Sequence, residues 1–409
     1  MPKKELNYTK FRRIAAFLCV LAIGLTACGK NSQQVGTLAE EGDGAIAAAD
    51  PMQGQLEARC GEIAAMYRSL YDGAEKTASA TSWEEPALSQ VSIDAIENLL
   101  IDAGLDVMDT NGSYPSYLVT SSRFHSFWEA AQRHEKVQQE VIGIAESGKL
   151  MYQLFTCEAS GNFLYSMIYP LDGGEPYYEM HDIKDWELTE KDNFFYRVLP
   201  ADDKHYPDFS LIRLTPPDLK LCDMTADYIF PVGYIAANLF LTDWSEGNWG
   251  NLSFNDQFEN LYFSHYGTEF TGEGYSYLDE EHGYAIPAAE FEEIVLPYYN
   301  IALDTFRSLA QYHSSGDYYV CRTLETDDFV FLWYYSFEPE VTAYTKNADG
   351  TITLTVEALS TDLKMDCLFA HEVTVRPLEN GRFQYVGNRV TYQTEYGLPY
   401  AVPRLEWDT

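Results

Sequence analysis

Basic residues are scarce in this chain: 27 Lys and Arg stand against 63 Asp and Glu, which gives a formal net charge of −36. Nucleic acids and anionic membrane surfaces attract basic patches, so this balance argues against both as partners. The acidic residues are scattered along the chain rather than clustered. We therefore interpret the acidity as favouring solubility outside a cell rather than cation binding.

Cysteine is also infrequent, with seven residues in 409, and no two of them form a C-x-x-C pair. Zinc and thioredoxin-like sites use such pairs, so we expect neither a metal site nor a cofactor. Besides Cys28, five cysteines follow residue 27 at wide spacings: Cys60, Cys157, Cys222, Cys321 and Cys367. Most are expected to be buried thiols that pack as small apolar residues. One disulfide among them is possible, and the sequence does not indicate which two cysteines would form it.

Motifs of common enzymes are missing as well. The sequence has no G-x-S-x-G, no P-loop and no dinucleotide-binding fingerprint. This absence does not exclude catalysis, because the carboxylates of a glycosidase can lie far apart in sequence. It favours a binding protein over an enzyme, and no catalytic residue is predicted.

The apolar run near the start, residues 14–24, is too short for a membrane-spanning helix, which needs about 20 apolar residues. It follows five basic residues and precedes Leu25-Thr26-Ala27-Cys28. A basic start, a short apolar core and a small-residue exit are typical of a secretory signal. The four-residue segment resembles the lipobox of bacterial lipoproteins. The resemblance implies a signal peptide over residues 1–27, cleavage between Ala27 and Cys28, and a diacylglyceryl group on the Cys28 thiol.

Two acyl chains on one residue are enough for stable anchoring, since a single chain binds a bilayer only reversibly. We therefore expect an extracytoplasmic protein held on the cell membrane by its lipid. Residues 28–56 contain no aromatic residue and are rich in Gly, Ala and acids, so we predict a flexible tether there. The remainder is rich in aromatics, and Pro216-Pro217 marks a boundary between domains at residues 57–217 and 218–409.

Both domains are predicted to contain helices followed by β-hairpins, which indicates an α+β fold with helices on antiparallel sheets. Helical spacing begins at Cys60 and Ile63, and Pro297 should divide one of the later helices. Turn signals at Asp349-Gly350 and Asn380-Gly381 predict two C-terminal hairpins. Further helices are predicted over residues 92–103, 124–147, 226–240 and 255–264, and strands over residues 150–158, 163–169, 193–199 and 209–214.

Several C-terminal segments resemble uncharacterised lipoproteins of gut Firmicutes. They include residues 286–292, 349–356, 369–376 and 383–388, and the similarity extends over about residues 220–395. The resemblance implies a lipid-anchored protein from a Gram-positive anaerobe. The resemblance implies no particular activity, because no role is known for those lipoproteins.

Trp244 and Trp249 lie in a predicted loop, residues 242–251, together with acids, amides and Gly. Indole rings beside carboxylates suit sugar binding, so both are candidate ligand-binding residues, and a calcium-stabilised loop is a second interpretation. The alternative is that both rings pack the loop onto the core. Asp279-Glu280-Glu281-His282 is interpreted as a solvated run, and His371 as a half-buried strand residue.

Three hypotheses remain open. The preferred one is a non-enzymatic surface lipoprotein that binds a glycan, an envelope component or a protein partner. A surface hydrolase acting on sugar or peptide predicts a cleft with two carboxylates about 5 to 9.5 Å apart. A solute-binding lipoprotein of an ABC importer predicts two βαβ lobes with parallel sheets.

Overall fold

The structure is a computed structural model that describes residues 51–78, 86–109, 116–198, 208–234, 237–250, 252–323, 337–399 and 404–405. The chain divides into two units, Met1–Pro217 and Asp218–Thr409. Within the described ranges, no helix has the length and apolar character needed to cross a bilayer. Helices and mostly antiparallel sheets occur in both units, which confirms the α+β fold class.

The described residues of the first unit include three α-helices: α1 (Pro51–Gly73), α2 (Gln90–Asp102) and α3 (Ser122–Gln132). Helix α1 begins inside the segment that was predicted as a tether, and Leu56 is already buried there. Cys60, Ile63 and Tyr67 are buried as their spacing indicates, whereas Met66 and Leu70 face solvent. The side chain of Ser89 caps α2 by accepting a hydrogen bond from the N–H of Ser92.

The strands of the first unit form a small hairpin and one large sheet. They are β1 (Lys76–Ala78), β2 (Pro86–Leu88), β3 (Met108–Asp109), β4 (Tyr117–Leu118), β5 (Val137–Ile144), β6 (Leu150–Glu158), β7 (Gly161–Tyr169), β8 (Tyr177–Leu188), β9 (Asn193–Val198) and β10 (Asp208–Arg213). The eight-stranded sheet has the order β3-β4-β10-β9-β8-β7-β6-β5. Its neighbours are antiparallel except for β4 and β10.

This large sheet is strongly curved. Phe155 on β6 and Tyr196 on β9 have ring centroids 5.2 Å apart, although β7 and β8 lie between the two strands. Strands in a flat sheet are spaced about 4.8 Å apart, so three steps would hold these rings well beyond contact. The concave face is therefore closed by aromatic side chains, together with Phe124 and Phe127 of α3. Helices α1 and α2 cover the other face.

The predicted helix over residues 124–147 is wrong in its second half. Helix α3 ends at Gln132, and residues 137–144 form β5 instead. Both faces of β5 are covered, because Val141 joins the concave core while Ile142 and Ile144 join the core under α1 and α2. A strand buried on both faces loses its alternating pattern, so its apolar spacing imitates a helix.

The second unit has four α-helices and nine strands among its described residues. The helices are α4 (Leu219–Tyr228), α5 (Phe258–Tyr266), α6 (Ala288–Val295) and α7 (Leu303–Leu309). The strands are β11 (Trp244–Ser245), β12 (Ser276–Leu278), β13 (Gly283–Pro287), β14 (Tyr312–His313), β15 (Tyr318–Cys321), β16 (Glu338–Lys346), β17 (Ile352–Ser360), β18 (Met365–Pro377) and β19 (Phe383–Gln393). Short 3₁₀ turns occupy Asn255–Gln257, Leu296–Tyr298 and Glu379–Gly381.

Two antiparallel sheets organise this unit, with the orders β11-β19-β18-β17-β16 and β12-β13-β15-β14. Both C-terminal hairpins are present at the predicted turns, where Asn380 and Gly381 have positive φ. Pro297 lies in the 3₁₀ turn between α6 and α7 and divides them as predicted. The helix predicted over residues 226–240 is wrong, because α4 ends at Tyr228, Pro231 follows in a turn and Gly233 has a positive φ.

Candidate functional site

An open groove lies on the second unit, where the chain before β11 approaches the last residues of β19. Its volume is about 570 Å³. The lining consists of Leu241, Thr242, Asp243, Val390, Thr391, Tyr392, Gln393 and Leu398. Two segments almost 150 residues apart in sequence therefore build the groove together.

The groove begins where β19 loses its neighbour. Strand β11 pairs with β19 only at Trp244 with Asn388 and at Ser245 with Gly387. Beyond that point the Oδ1 atom of Asp243 accepts a hydrogen bond of 2.7 Å from the backbone N–H of Val390. A carboxylate thus takes the position that the next backbone carbonyl of a longer β11 would have had.

A bulge follows at once on the other side of β19. The pairing with β18 changes register between Ala370 and His371, so that Val390 and Tyr392 are paired and Thr391 is the extra residue. Bulges bend a strand and re-aim its side chains. The side chains of Thr391, Tyr392 and Gln393 are all exposed here.

The groove has an apolar base and a polar rim. Leu241 is buried, and Val390 and Leu398 are half-buried. At the rim, half of the Tyr392 surface is exposed, at 50%. Among the lining residues, Asp243 is the single charged side chain. This combination of an apolar base with a few polar groups and an aromatic ring is common in small-molecule sites.

A buried polar chain supports the groove from behind. Asn388 donates its two amide hydrogens to the carbonyls of Phe240 and Thr242, at 3.1 and 2.9 Å. Its Oδ1 atom must therefore accept from Nδ1–H of His371, at 2.7 Å. The remaining ring nitrogen, Nε2, accepts from the hydroxyl of Tyr234, at 2.8 Å. Thr242 is thereby tied to the core of the sheet.

His371 is more deeply buried than the sequence predicted. It is fully buried rather than half-buried, and burial lowers its pKa to about 4, against a smaller opposing effect from the hydrogen bond with Asn388. Its neighbour Glu372 lies on the other face of the strand and pairs with Arg389 at 2.7 Å. The expectation that these two side chains point apart is confirmed, and His371 has no solvent access for acid–base chemistry.

Trp244 and Trp249 do not line the groove. Both are buried, and their rings stack on each other with centroids 5.4 Å apart. The indole N–H of Trp244 donates to the carbonyl of Leu239 at 2.8 Å. Packing onto the core is thus the arrangement observed, and neither ring offers a face to a ligand. The preceding residues of the same predicted loop, Thr242 and Asp243, line the groove instead.

The acidic run Asp279-Glu280-Glu281-His282 lies in the turn between β12 and β13. Asp279, Glu280 and His282 are exposed, and Glu281 approaches His313 with 3.2 Å between Oε2 and Nε2. In the part of the chain that the structure describes, no group of three or more His, Cys, Asp or Glu side chains is placed to hold a metal ion.

The five cysteines after Cys28 are free thiols, and Cys60, Cys157 and Cys321 are buried. Burial raises the pKa of Cys60 to about 12 and that of Cys321 still further, so these thiols stay protonated. Cys28 and Ala27, with the predicted cleavage site, lie outside the described residues.

Sequence reasoning missed Tyr392 and Gln393 because it did not predict that the strand after the Asn380-Gly381 turn continues to Gln393. The segment Val390-Thr391-Tyr392 is rich in residues that favour strands and could have signalled this extension.

Comparison with known proteins gives one result. A family model described as "Family of unknown function (DUF6070)" matches residues 53–404. This match includes both units, whereas the resemblance seen in the sequence was confined to about residues 220–395. No curated protein and no solved structure matches the chain.

Proposed function

The chain belongs to DUF6070, a family of unknown function, and from this premise we propose that it is a lipid-anchored, extracytoplasmic binding protein. In this proposal Cys28 carries the lipid, and the groove between Asp243 and Tyr392 receives the ligand. The ligand belongs to the cell surroundings or the envelope. The protein binds it without chemical conversion.

The anchoring part of the proposal is supported by the sequence. Five basic residues, a short apolar run and Leu25-Thr26-Ala27-Cys28 follow one another in the order of a lipoprotein signal. Cys28 is 23 residues before the start of α1 at Pro51. A chain of that length gives the folded units reach above a membrane surface.

The binding part rests on one observation, the lining of the groove. Its side chains combine an apolar base with a half-exposed aromatic ring and several hydrogen-bonding groups. A glycoside hydrolase needs two carboxylates about 5 to 9.5 Å apart. The groove supplies Asp243 alone among its lining residues, and Oδ1 of that carboxylate is already bonded to the N–H of Val390. This geometry favours recognition over hydrolysis.

The importer hypothesis is less well supported by the fold. Solute receptors of that type are expected to have two lobes with parallel sheets. In the described residues, β4 and β10 are the one parallel pair within the named sheets. The sheets of both units are otherwise antiparallel hairpins and meanders.

Anchoring is tested by metabolic labelling with an alkyne fatty acid in a bacterial host that processes lipoproteins. The wild-type protein should carry the label and fractionate with membranes. Cys28→Ser should lose the label and keep its signal segment, because the acyl acceptor is gone. Cys19→Ala, in the apolar run, is the matched control and should be labelled like wild type. Equal labelling of Cys28→Ser and wild type would refute the anchor.

A further inference from the structure

We infer that the groove of the second unit binds a neutral glycan, with one sugar face stacked on the ring of Tyr392. The inference rests on the proposed function, since it names the ligand class of the same groove. Asp243, Gln393 and the hydroxyl groups of Thr242 and Thr391 provide the polar contacts. Three properties of the groove lead to this ligand class.

The first property is that the strand edge is closed. An extended peptide could add to β19 only by using its free backbone groups. The N–H of Val390 is already bonded to Oδ1 of Asp243, and the bulge at Thr391 breaks the regular spacing that strand addition requires. An inward-pointing charge and a bulge are the devices by which natural sheets protect an edge. Recognition in the groove therefore depends on side chains.

The second property is the type of side chain. A sugar ring has an apolar face of C–H groups and a rim of hydroxyls that both donate and accept. Tyr392 provides an exposed ring for the apolar face, since half of its surface is accessible. A carboxylate accepts two hydroxyl donors, while the amide of Gln393 donates and accepts. Asp243 uses one oxygen for Val390, so Oδ2 remains to accept from a ligand hydroxyl.

The third property is charge. None of the eight lining residues is basic, and Asp243 contributes a negative charge. The nearest base along β19 is Arg389, whose guanidinium pairs with Glu372 at 2.7 Å and also interacts electrostatically with Asp243, although it does not line the groove. The whole chain has a formal net charge of −36. Phosphate-rich polymers and acidic glycans would be repelled here, so a neutral glycan fits the groove best.

The inference is tested with the full-length protein in detergent on an array of neutral oligosaccharides, including hexamers of glucose, mannose and xylose. The tightest array ligand is then titrated calorimetrically against three variants. Tyr392→Ala should weaken binding about tenfold, because the stacking surface is lost. Tyr392→Phe should retain most of the affinity. Tyr396→Ala removes another exposed tyrosine, outside the groove lining, and should leave affinity unchanged.

Three results would overturn the inference: no binding to any neutral oligosaccharide, binding restricted to anionic glycans, or equal affinity of Tyr392→Ala and wild type. A peptide ligand whose binding is lost in Tyr392→Ala would keep the groove as the binding site while refuting the glycan. Lipid labelling at Cys28 is measured in a separate experiment, so the two proposals can fail independently. A labelled protein that binds no neutral glycan would refute this inference and leave the anchor intact.

Discussion

At the scale of single residues, His371 shows how a buried polar group is fixed by its neighbours. Asn388 donates both amide hydrogens to backbone carbonyls, so its side-chain oxygen can only accept. Nδ1 of His371 must therefore carry the proton that this oxygen accepts. Tyr234 then donates to Nε2. Protonation of Nε2 would turn the Tyr234 hydroxyl from donor to acceptor and would place a positive charge in a fully buried site, so burial disfavours the charged imidazole.

This arrangement predicts acid sensitivity. The pKa of His371 is about 4 in the folded protein, against 6.5 for an ordinary histidine. Between these values the unfolded chain binds more protons than the folded protein, so folding is weakened as pH falls from 6.5 towards 4. Above pH 6.5 the neutral His371 contributes about 3 kcal/mol to the free energy of unfolding. Urea denaturation of wild type and His371→Gln at pH 7.5 and 4.5 measures it. The variant should lose less stability on acidification, and an equal loss in both proteins would contradict the prediction.

At the scale of elements, the hairpin between β5 and β6 docks on α1 through its turn. The sequence placed a helix end at Gly148, whereas the structure places it in this turn, with φ of +82°. Its carbonyl accepts a hydrogen bond from the Tyr67 hydroxyl at 3.2 Å. A Cβ at this position would lie 2.6 Å from the ring of Tyr71 and 2.9 Å from Leu88. The glycine therefore permits both the turn and the contact with the helix.

Gly148→Ala should destabilise the first unit by more than the conformational cost alone. Gly104→Ala is the matched control, because Gly104 also has φ of +82° but has no neighbour within 4 Å of the added methyl group. The control should cost about 1 kcal/mol from backbone strain. Gly148→Ala adds a steric clash with Tyr71 and should cost about 3 kcal/mol, by analogy with overpacked cores. Thermal denaturation of the two variants measures the loss of stability in each. Equal losses of stability would show that the ring of Tyr71 moves away from the added methyl group without cost.

At the scale of the whole molecule, the C-terminal segment is fastened to the second unit by a buried charge. Arg404 is 2% exposed, and its Nη1 lies 2.6 Å from Oε2 of Glu259. Its Nε lies 3.3 Å from Oδ1 of Asp256, and its backbone N–H donates to Oδ2 of the same carboxylate at 3.1 Å. Burial raises the pKa of Asp256 despite the opposing guanidinium. The second unit therefore depends on residues near the end of the chain.

Arg404→Ala should destabilise the protein by about 3 kcal/mol or more, because it removes the guanidinium from the buried Asp256 carboxylate. Arg389→Ala breaks the exposed pair with Glu372 and should destabilise the protein much less than Arg404→Ala, because solvent screens that pair. Calorimetric melting of both variants beside wild type gives the comparison. Similar shifts in the two variants would mean that the Arg404 pair is no stronger than a surface ion pair.

Much of the fold could be predicted from local sequence. The turns at Asp349-Gly350 and Asn380-Gly381 were readable because few residues tolerate positive φ. Pro297 indicated a break between helices, and it lies in the 3₁₀ turn between α6 and α7. These signals fail where both faces of an element are covered, and β5 was therefore mistaken for part of a helix.

The candidate site was predictable only in part. The sequence drew attention to the segment from residue 242 to 251, and the structure does place Thr242 and Asp243 in the groove. It also drew attention to Trp244 and Trp249, whose rings are buried and do not line the groove. Aromatic residues near carboxylates have the same pattern whether they face solvent or not. Burial is decided by distant neighbours such as Tyr299, which contacts both indole rings.

The sequence by itself determined the features that depend on composition or on a few adjacent residues: the acidic charge balance, the C-terminal hairpin turns and the α+β class. Each follows from local chemistry or composition and needs no folded partner. The tertiary structure decided which side chains are accessible and which meet. Asp243 closes the edge of β19 only because folding brings it to Val390, 147 residues away. Such encounters depend on the packing of the whole unit, which no local pattern records.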